Sequence, residues 1–151
     1  MPVTIRNATP EDIHQMLPLL EQLFAAEADF TFNASLQEKG LRLMLDGCGK
    51  HRAVKVACKD KQGVVGMCTA QTRISTAQGK ISAVIEDLVV DAAWQGSGIG
   101  SRLVNAIEGW ARDRGISALQ LLADRDNTNG LAFYKARDWQ DTALICLVKY
   151  V

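Results

Sequence analysis

Apolar and polar residues alternate through the opening segment VTIRNAT, residues 3–9, the period of a short β-strand. At Thr9-Pro10-Glu11-Asp12 the pattern turns into a helix start. Thr9 suits the cap, Pro10 the first helical position, and the two acids the positive end of a helix. Ile13, Met16, Leu17, Leu20 and Phe24 then recur at helical spacing as far as about Ala26. A second helix is expected after Asn33 or Ser35, with Leu36, Leu41, Leu43 and Leu45 apolar and a stop at Asp46-Gly47. From His51 the period changes to that of strands. AVKVACK and VVGMCTAQTRI are joined by a turn at Asp60–Gly63, and a second turn at Thr76–Lys80 leads into ISAVIEDLVV. These three runs predict an antiparallel meander. Helical spacing returns at Ile99, Leu103, Ile107 and Trp110, with Gly115 as its stop. Ala118–Ala123 predicts a short strand, Thr128–Ala136 a helix, and ALICLVKYV a closing strand.

The order is strand, two helices, three strands, helix, strand, helix, strand. It predicts an α/β fold in one layered domain spanning residues 1–151. Hydrophobic residues make up 48% of the chain and charged residues 23%, which fits a chain with a packed core rather than a disordered one. The formal net charge of zero supplies no basic field, so nucleic acid is not an expected partner. No apolar run approaches the roughly 18 residues of a membrane span, and the N-terminus lacks the pattern of a secretory signal. A membrane is therefore not an expected partner, and the expected compartment is the cytoplasm. Cys48, Cys58, Cys68 and Cys146 form no close pair, and His14 and His51 lie far apart. The spacing suits reduced, mostly buried thiols, and no metal site is expected.

One stretch breaks the element pattern. Gln95-Gly96-Ser97-Gly98-Ile99-Gly100 lies between a strand-like run and an amphipathic helix. Glycine inside such a connection weakens it entropically, so three in five residues indicate close approach of something to the backbone. The first amides of a helix have no internal partner, and the helix dipole favours negative charge there. A phosphate or diphosphate is the ligand this arrangement suits. The dinucleotide fingerprint G-x-G-x-x-G fails, because position 101 is Ser101 and three antiparallel-type strands come first. A nucleotide P-loop fails for want of Gly-Lys-Ser or Gly-Lys-Thr.

QGSGIG resembles the pyrophosphate motif Q/R-x-x-G-x-G/A of the GNAT N-acetyltransferase superfamily, which follows a Leu-x-Val strand matched here by Leu88-Val89-Val90. Asn127-x-x-Gly130-x-x-x-Tyr134 is similar to that family's N-x-x-A-x-x-x-Y segment, and the element order is the family's too. Asp138-Trp139 stands where the family usually carries Gly-Phe, and Gly130 where it carries alanine. The resemblance implies a mainly antiparallel, splayed, mixed sheet flanked by helices. It implies acetyl-CoA as cosubstrate and N-acetyl transfer to a primary amine of a small molecule or peptide. It places the diphosphate on the amides of Gln95, Gly96, Ser97, Gly98, Ile99, Gly100 and Ser101. The pantetheine arm would lie along Leu88, Val89 and Val90 as an added strand, with Asn127, Gly130 and Tyr134 as further cofactor contacts. Many members are homodimers.

Direct acetyl transfer needs a proton acceptor for the ammonium, whose ordinary pKa is about 10.4. It needs a donor for the developing oxyanion, for which the backbone N–H near Leu88 is the candidate. It also needs an acid for the departing thiolate. The resemblance makes Tyr134 the candidate acid and Glu86 the candidate base. Strand alternation would turn Asp87 to the opposite face from Glu86, which makes Asp87 the lesser candidate. Asn127 also suits a helix cap, and Trp94 and Trp110 suit packing. Glu27 and Asp29, among Phe24, Phe30 and Phe32, form a candidate contact for a cationic, partly apolar acceptor. The alternative functions are an acyl-CoA sensor without turnover and, disfavoured by the motif, a nucleotide-dependent oxidoreductase.

Overall fold

The computed structural model of the chain describes residues 2–27, 29–46 and 49–151. Its elements are β1 (Val3–Asn7), α1 (Ile13–Ala25), α2 (Ala34–Leu45), β2 (Arg52–Lys59), β3 (Gly63–Ser75), β4 (Lys80–Val90), α3 (Ile99–Asp113), β5 (Leu119–Leu121) and α4 (Thr128–Lys135). The strands form one open, mixed sheet in the order β1-β2-β3-β4-β5. β1 to β4 pair antiparallel in succession. α3 makes the crossover to β5, the long connection that a parallel neighbour requires.

The chain divides into two compact units, one ending at Gln120 and the other running from Leu121 to Val151. In the first unit the sheet is buried on both faces. Val54, Val56, Val64, Met67 and Val89 point to one face and pack in a core with Ile13, Met16, Leu19 and Leu20 of α1 and Leu41 of α2. The alternate residues Ala53, Ala57, Gly66, Ala70 and Ala83 face the other way and are small, which lets α3 lie close. A Cβ on Gly66 would stand 3.1 Å from Leu103 Cδ1, 3.3 Å from the Val89 carbonyl and 3.4 Å from Ile99 Cγ2. α3 meets this face with Ile99, Leu103, Val104 and Ile107, a stripe at helical spacing.

The predicted entry to α1 forms as a single 3-10 turn, Pro10–Asp12. Asp12 accepts from the Thr9 N–H at 2.8 Å and makes a bidentate pair with Arg6 at 2.7 and 2.8 Å. That partner holds the Asp12 carboxyl below the ordinary carboxylate range and ties β1 to the helix start.

In the second unit, α4 is capped by Asn127, whose Oδ1 accepts from the Gly130 N–H at 3.0 Å. The helix ends where Asp138 takes a positive φ of 68° and the Trp139 N–H reaches back to the Tyr134 carbonyl at 3.1 Å. This is the left-handed terminus for which glycine is the usual residue, so Asp138 keeps the geometry without the glycine.

Two expectations are corrected. The closing run ALICLVKYV forms no strand; residues 143–151 are exposed and lie outside every described ladder. Cys146 is exposed rather than buried, while Cys68 is buried and Cys58 half-buried, all three as free thiols; Cys48 and the helix stop at Gly47 lie outside the described residues.

Candidate active site

The site begins with an irregularity in β4. Met67 pairs with Val89 and Thr69 with Glu86, so β4 carries one residue more than β3 over this stretch. The extra residue is a β-bulge, and Asp87 absorbs it with a φ of 52°. A left-handed backbone at a non-glycine residue is uncommon, though Asp tolerates it better than most. The consequence is that alternation fails at this point. Glu86 and Asp87 both line one cleft instead of pointing to opposite faces.

That cleft has a volume of about 500 Å³. Leu20 and Phe24 of α1 and Leu36, Leu41 and Met44 of α2 form an apolar wall. Thr69, Gln71, Glu86 and Asp87 form a polar floor from β3 and β4. The buried Thr69 hydroxyl lies 3.1 Å from the Glu86 carbonyl and 3.2 Å from Asp87 Oδ2, so it anchors the bulge to the neighbouring strand. Burial, and after it the negative charge of Glu86, push the Asp87 carboxyl up to about 6, while the Thr69 hydroxyl opposes the shift. Glu86 is exposed. Two neighbouring acids thus differ in environment, which separates a group that attracts a cation from one that exchanges a proton near neutrality.

Beyond the bulge, β4 continues through Leu88, Val89 and Val90 toward the glycine turn. Its eleven residues outlast the three of β5, so the outer edge of β4 is longer than its neighbour covers.

The glycine turn is held from three sides. The Gln22 side chain of α1 donates to Asp91 at 3.3 Å and accepts from the Ala92 N–H at 3.1 Å. Gln95 donates to the Val90 carbonyl at 3.0 Å, and the Ser97 hydroxyl to the Trp94 carbonyl at 2.6 Å. The ammonium of Lys59, a buried residue, sits 3.2 Å from the centroid of the Trp94 ring. Trp94 therefore has a charge partner as well as a packing role. Gly96 and Gly98 have φ of 81° and 83°, and a Cβ at either would project into open space. The first helical bond of this end runs from Arg102 N–H to the Gly98 carbonyl at 3.2 Å, which leaves the Ile99 and Gly100 amides ahead of the helical ladder. Backbone amides, absent side chains and the positive end of a fifteen-residue helix fit the diphosphate of coenzyme A.

The remaining sequence candidates fall in two places. Asn127, Gly130 and Tyr134 share α4 and its cap, in the second unit. There Tyr134 is half-buried and packs edge-on against Trp139, with ring centroids 5.8 Å apart. A Cβ on Gly130 would meet the Asn127 side chain at 2.5 Å, so the glycine makes room for its own cap. Glu27, Asp29 and Phe30 lie on the connection after α1 and do not line the cleft; Phe30 stacks on the cleft residue Phe24 at 5.3 Å.

Sequence reasoning missed Thr69, Gln71, Gln22 and Lys59. Thr69 and Gln71 had a signal, as polar residues inside an apolar strand run. Gln22 and Lys59 had none, because their partners lie 69 and 35 residues away and depend on the folded sheet.

Known proteins bear on this arrangement. The profile of the Acetyltransferase (GNAT) family matches residues 17–139. An aminoglycoside N(6')-acetyltransferase type 1 from Stenotrophomonas maltophilia is 29% identical over 142 residues, covering 92% of this chain and 87% of the relative. A thialysine N-epsilon-acetyltransferase from Bos taurus is 30% identical over 148 residues, covering 92% and 85%. Among solved structures, a transcriptional regulator from Bacillus halodurans C-125 superposes with a TM-score of 0.85 at 25% identity, covering 99% of this chain and all of that one.

Proposed function

Because the chain belongs to the acetyltransferase (GNAT) family and is an acetyl-CoA-dependent N-acetyltransferase, we propose that its acceptor is a primary amine on a partly apolar body, bound in the cleft over Glu86 and Asp87. The observation that carries this reading is the bulge in β4, which turns both carboxylates into a cleft with an apolar wall. The two relatives named above act, by their names, on the 6'-amino group of aminoglycosides and the ε-amino group of thialysine. Both are amines that are cationic at neutral pH, as an acidic floor requires.

Acetyl-CoA supplies the activated acetyl group as a thioester. The amides of residues 95–101 bind its diphosphate and the Leu88–Val90 edge orients its arm. Asn127 and Gly130 are the further cofactor contacts that the family resemblance implies. Exposed Glu86 draws the ammonium into the cleft, and Asp87, its pKa pushed up to about 6, accepts its proton. This moves the base from Glu86, the first sequence candidate, to the pair. The Leu88 N–H donates to the charge that develops on the acetyl oxygen as the amine nitrogen bonds to the acetyl carbon; the family resemblance makes the Tyr134 hydroxyl the acid that protonates the departing sulfur, its proton being replaced by the second one that the nitrogen sheds as the C–S bond breaks. Glu27 and Asp29 serve as outer contacts for a larger cationic acceptor, and Phe30 acts through its stack on Phe24.

The test is release of the coenzyme thiol by purified protein given acetyl-CoA and a panel of amines. Aminoglycosides, lysine analogues and diamines are expected to drive release. Tight binding of acetyl-CoA without release for every amine would make the protein a sensor of acyl-CoA instead.

A further inference from the structure

The acceptor cleft holds a charge that an acid-floored amine site does not use. Arg52, the first residue of β2, lines it. The register sets Arg52 opposite Gln71 of β3, as it sets Val54 opposite the floor residue Thr69. Among the described residues that line the cleft, Arg52 is the only cation, and Glu86 and Asp87 are the only anions.

The guanidinium is half engaged. Its Nη1 donates to the Leu43 carbonyl at 3.1 Å and to the Asp46 carbonyl, both at the end of α2. Those two bonds use both hydrogens of Nη1, and they satisfy carbonyls where the helix stops. An arginine has five N–H donors, and the other three are on Nη2 and Nε. Among the described residues these have no partner, and Arg52 makes no ion pair. Nη2 and Nε form one planar edge, which meets a carboxylate through two parallel hydrogen bonds. Because Nη1 is anchored, the group is ordered before a ligand arrives, and binding costs less conformational freedom.

The register also gives the distance between the two kinds of charge. Glu86 pairs with Thr69, two residues along β3 from Gln71 and one strand further from Arg52. Two strand spacings and two residues of rise separate the Arg52 and Glu86 backbones by about 12 Å. A ligand that meets both charges therefore carries its own at the two ends of a chain. Leu20, Leu41 and Met44 of the apolar wall suit a row of methylenes between those ends. A plain diamine would set its second ammonium against Arg52; a carboxylate at that end turns repulsion into attraction.

The geometry points to an acceptor that is a linear ω-amino acid. Its terminal amine lies over Glu86 and Asp87, its methylenes lie on the apolar wall, and its carboxylate takes the Nη2–Nε edge of Arg52. The inference rests on the amine-acceptor reading above and supplies the other end of the substrate. Arg52 is then the residue that selects among amines.

Calorimetric titration of the whole protein tests it, with coenzyme A present so that no acetyl group is transferred. The probes are ε-aminocaproate and its carboxamide, which differ only in the charge of one end. The carboxylate is expected to bind about 10–100-fold more tightly, as hydrogen bonds to a charged group would give. Arg52→Gln should lower the affinity of the carboxylate to that of the carboxamide. A role confined to ending α2 would change both ligands alike. The comparison on the native protein needs no variant, so it decides the matter even if Arg52→Gln folds poorly. Equal affinities there would overturn the proposal. So would a preference for the carboxylate that survives Arg52→Gln, or tighter binding of aminopentyl phosphate, which would make the anion a phosphate. Failure of both probes to bind would overturn it as well. If other amines still release the coenzyme thiol, the ω-amino acid alone is wrong; if none does, the acetyl-transfer reading fails with it.

Discussion

Asp87 concentrates the physics of this site in one residue. Its backbone is left-handed, its carboxyl is largely buried, and its neighbour in sequence is another acid. Each feature has an energetic cost, and such costs are retained where a site needs them. The cost has a signature in pH. The unfolded chain releases this proton near 3.8 and the folded chain near 6. Between those values the native state holds more protons than the unfolded state, so the Asp87 contribution to stability falls as pH rises through the window. Above about 6 the full penalty stands, on the order of 3 kcal/mol at 1.36 kcal/mol per unit. Asp87→Asn keeps the shape, tolerates the left-handed backbone and removes the charge. Urea denaturation at pH 4 and pH 7 should show the variant gaining on the native protein between the two; equal differences at both would mean that Asp87 titrates normally.

Elements were legible in proportion to how local their causes are. The stripe Ile13 to Phe24, the two turns of the meander and the run Ile99 to Trp110 each hold within one element, and each formed as expected. The bulge was not legible, because it lies in the register between Met67–Thr69 and Glu86–Val89 and not in either strand. The opposite orientation expected for Glu86 and Asp87 failed for that reason. The end of α4 was half legible. Asp138-Trp139 loses the glycine at this terminus, yet the backbone adopts the glycine conformation at Asp138. Asp138→Gly should therefore stabilise the protein by about 0.5–1 kcal/mol by relieving that strain, net of glycine's larger entropy in the unfolded chain. A rise in the urea midpoint at an unchanged slope would measure it; a fall would show that the aspartate side chain contributes more than its backbone strain removes.

For the whole molecule, the family was legible from two short motifs and the order of elements, while the acceptor cleft was not. The glycine turn announces its ligand through backbone chemistry written in a few consecutive residues. The cleft is assembled from α1, α2, β2, β3 and β4, whose contributing residues span Leu20 to Asp87 and include Arg52 of β2. The final strand was misjudged on its own chain because a strand needs an edge as well as a sequence, and no described strand of the chain pairs with residues 143–151.

The central claim is that the bulged acid pair takes the proton from a primary amine beside the coenzyme site. Its most direct test is the initial rate of coenzyme thiol release, with one turned-over amine, across pH for the native enzyme and Asp87→Asn. The native kcat/KM should fall on the acid side with an apparent pKa of about 6. The variant should be slower by about 10²–10⁴-fold and lack that inflection. A variant with the native rate and the native profile would contradict the account.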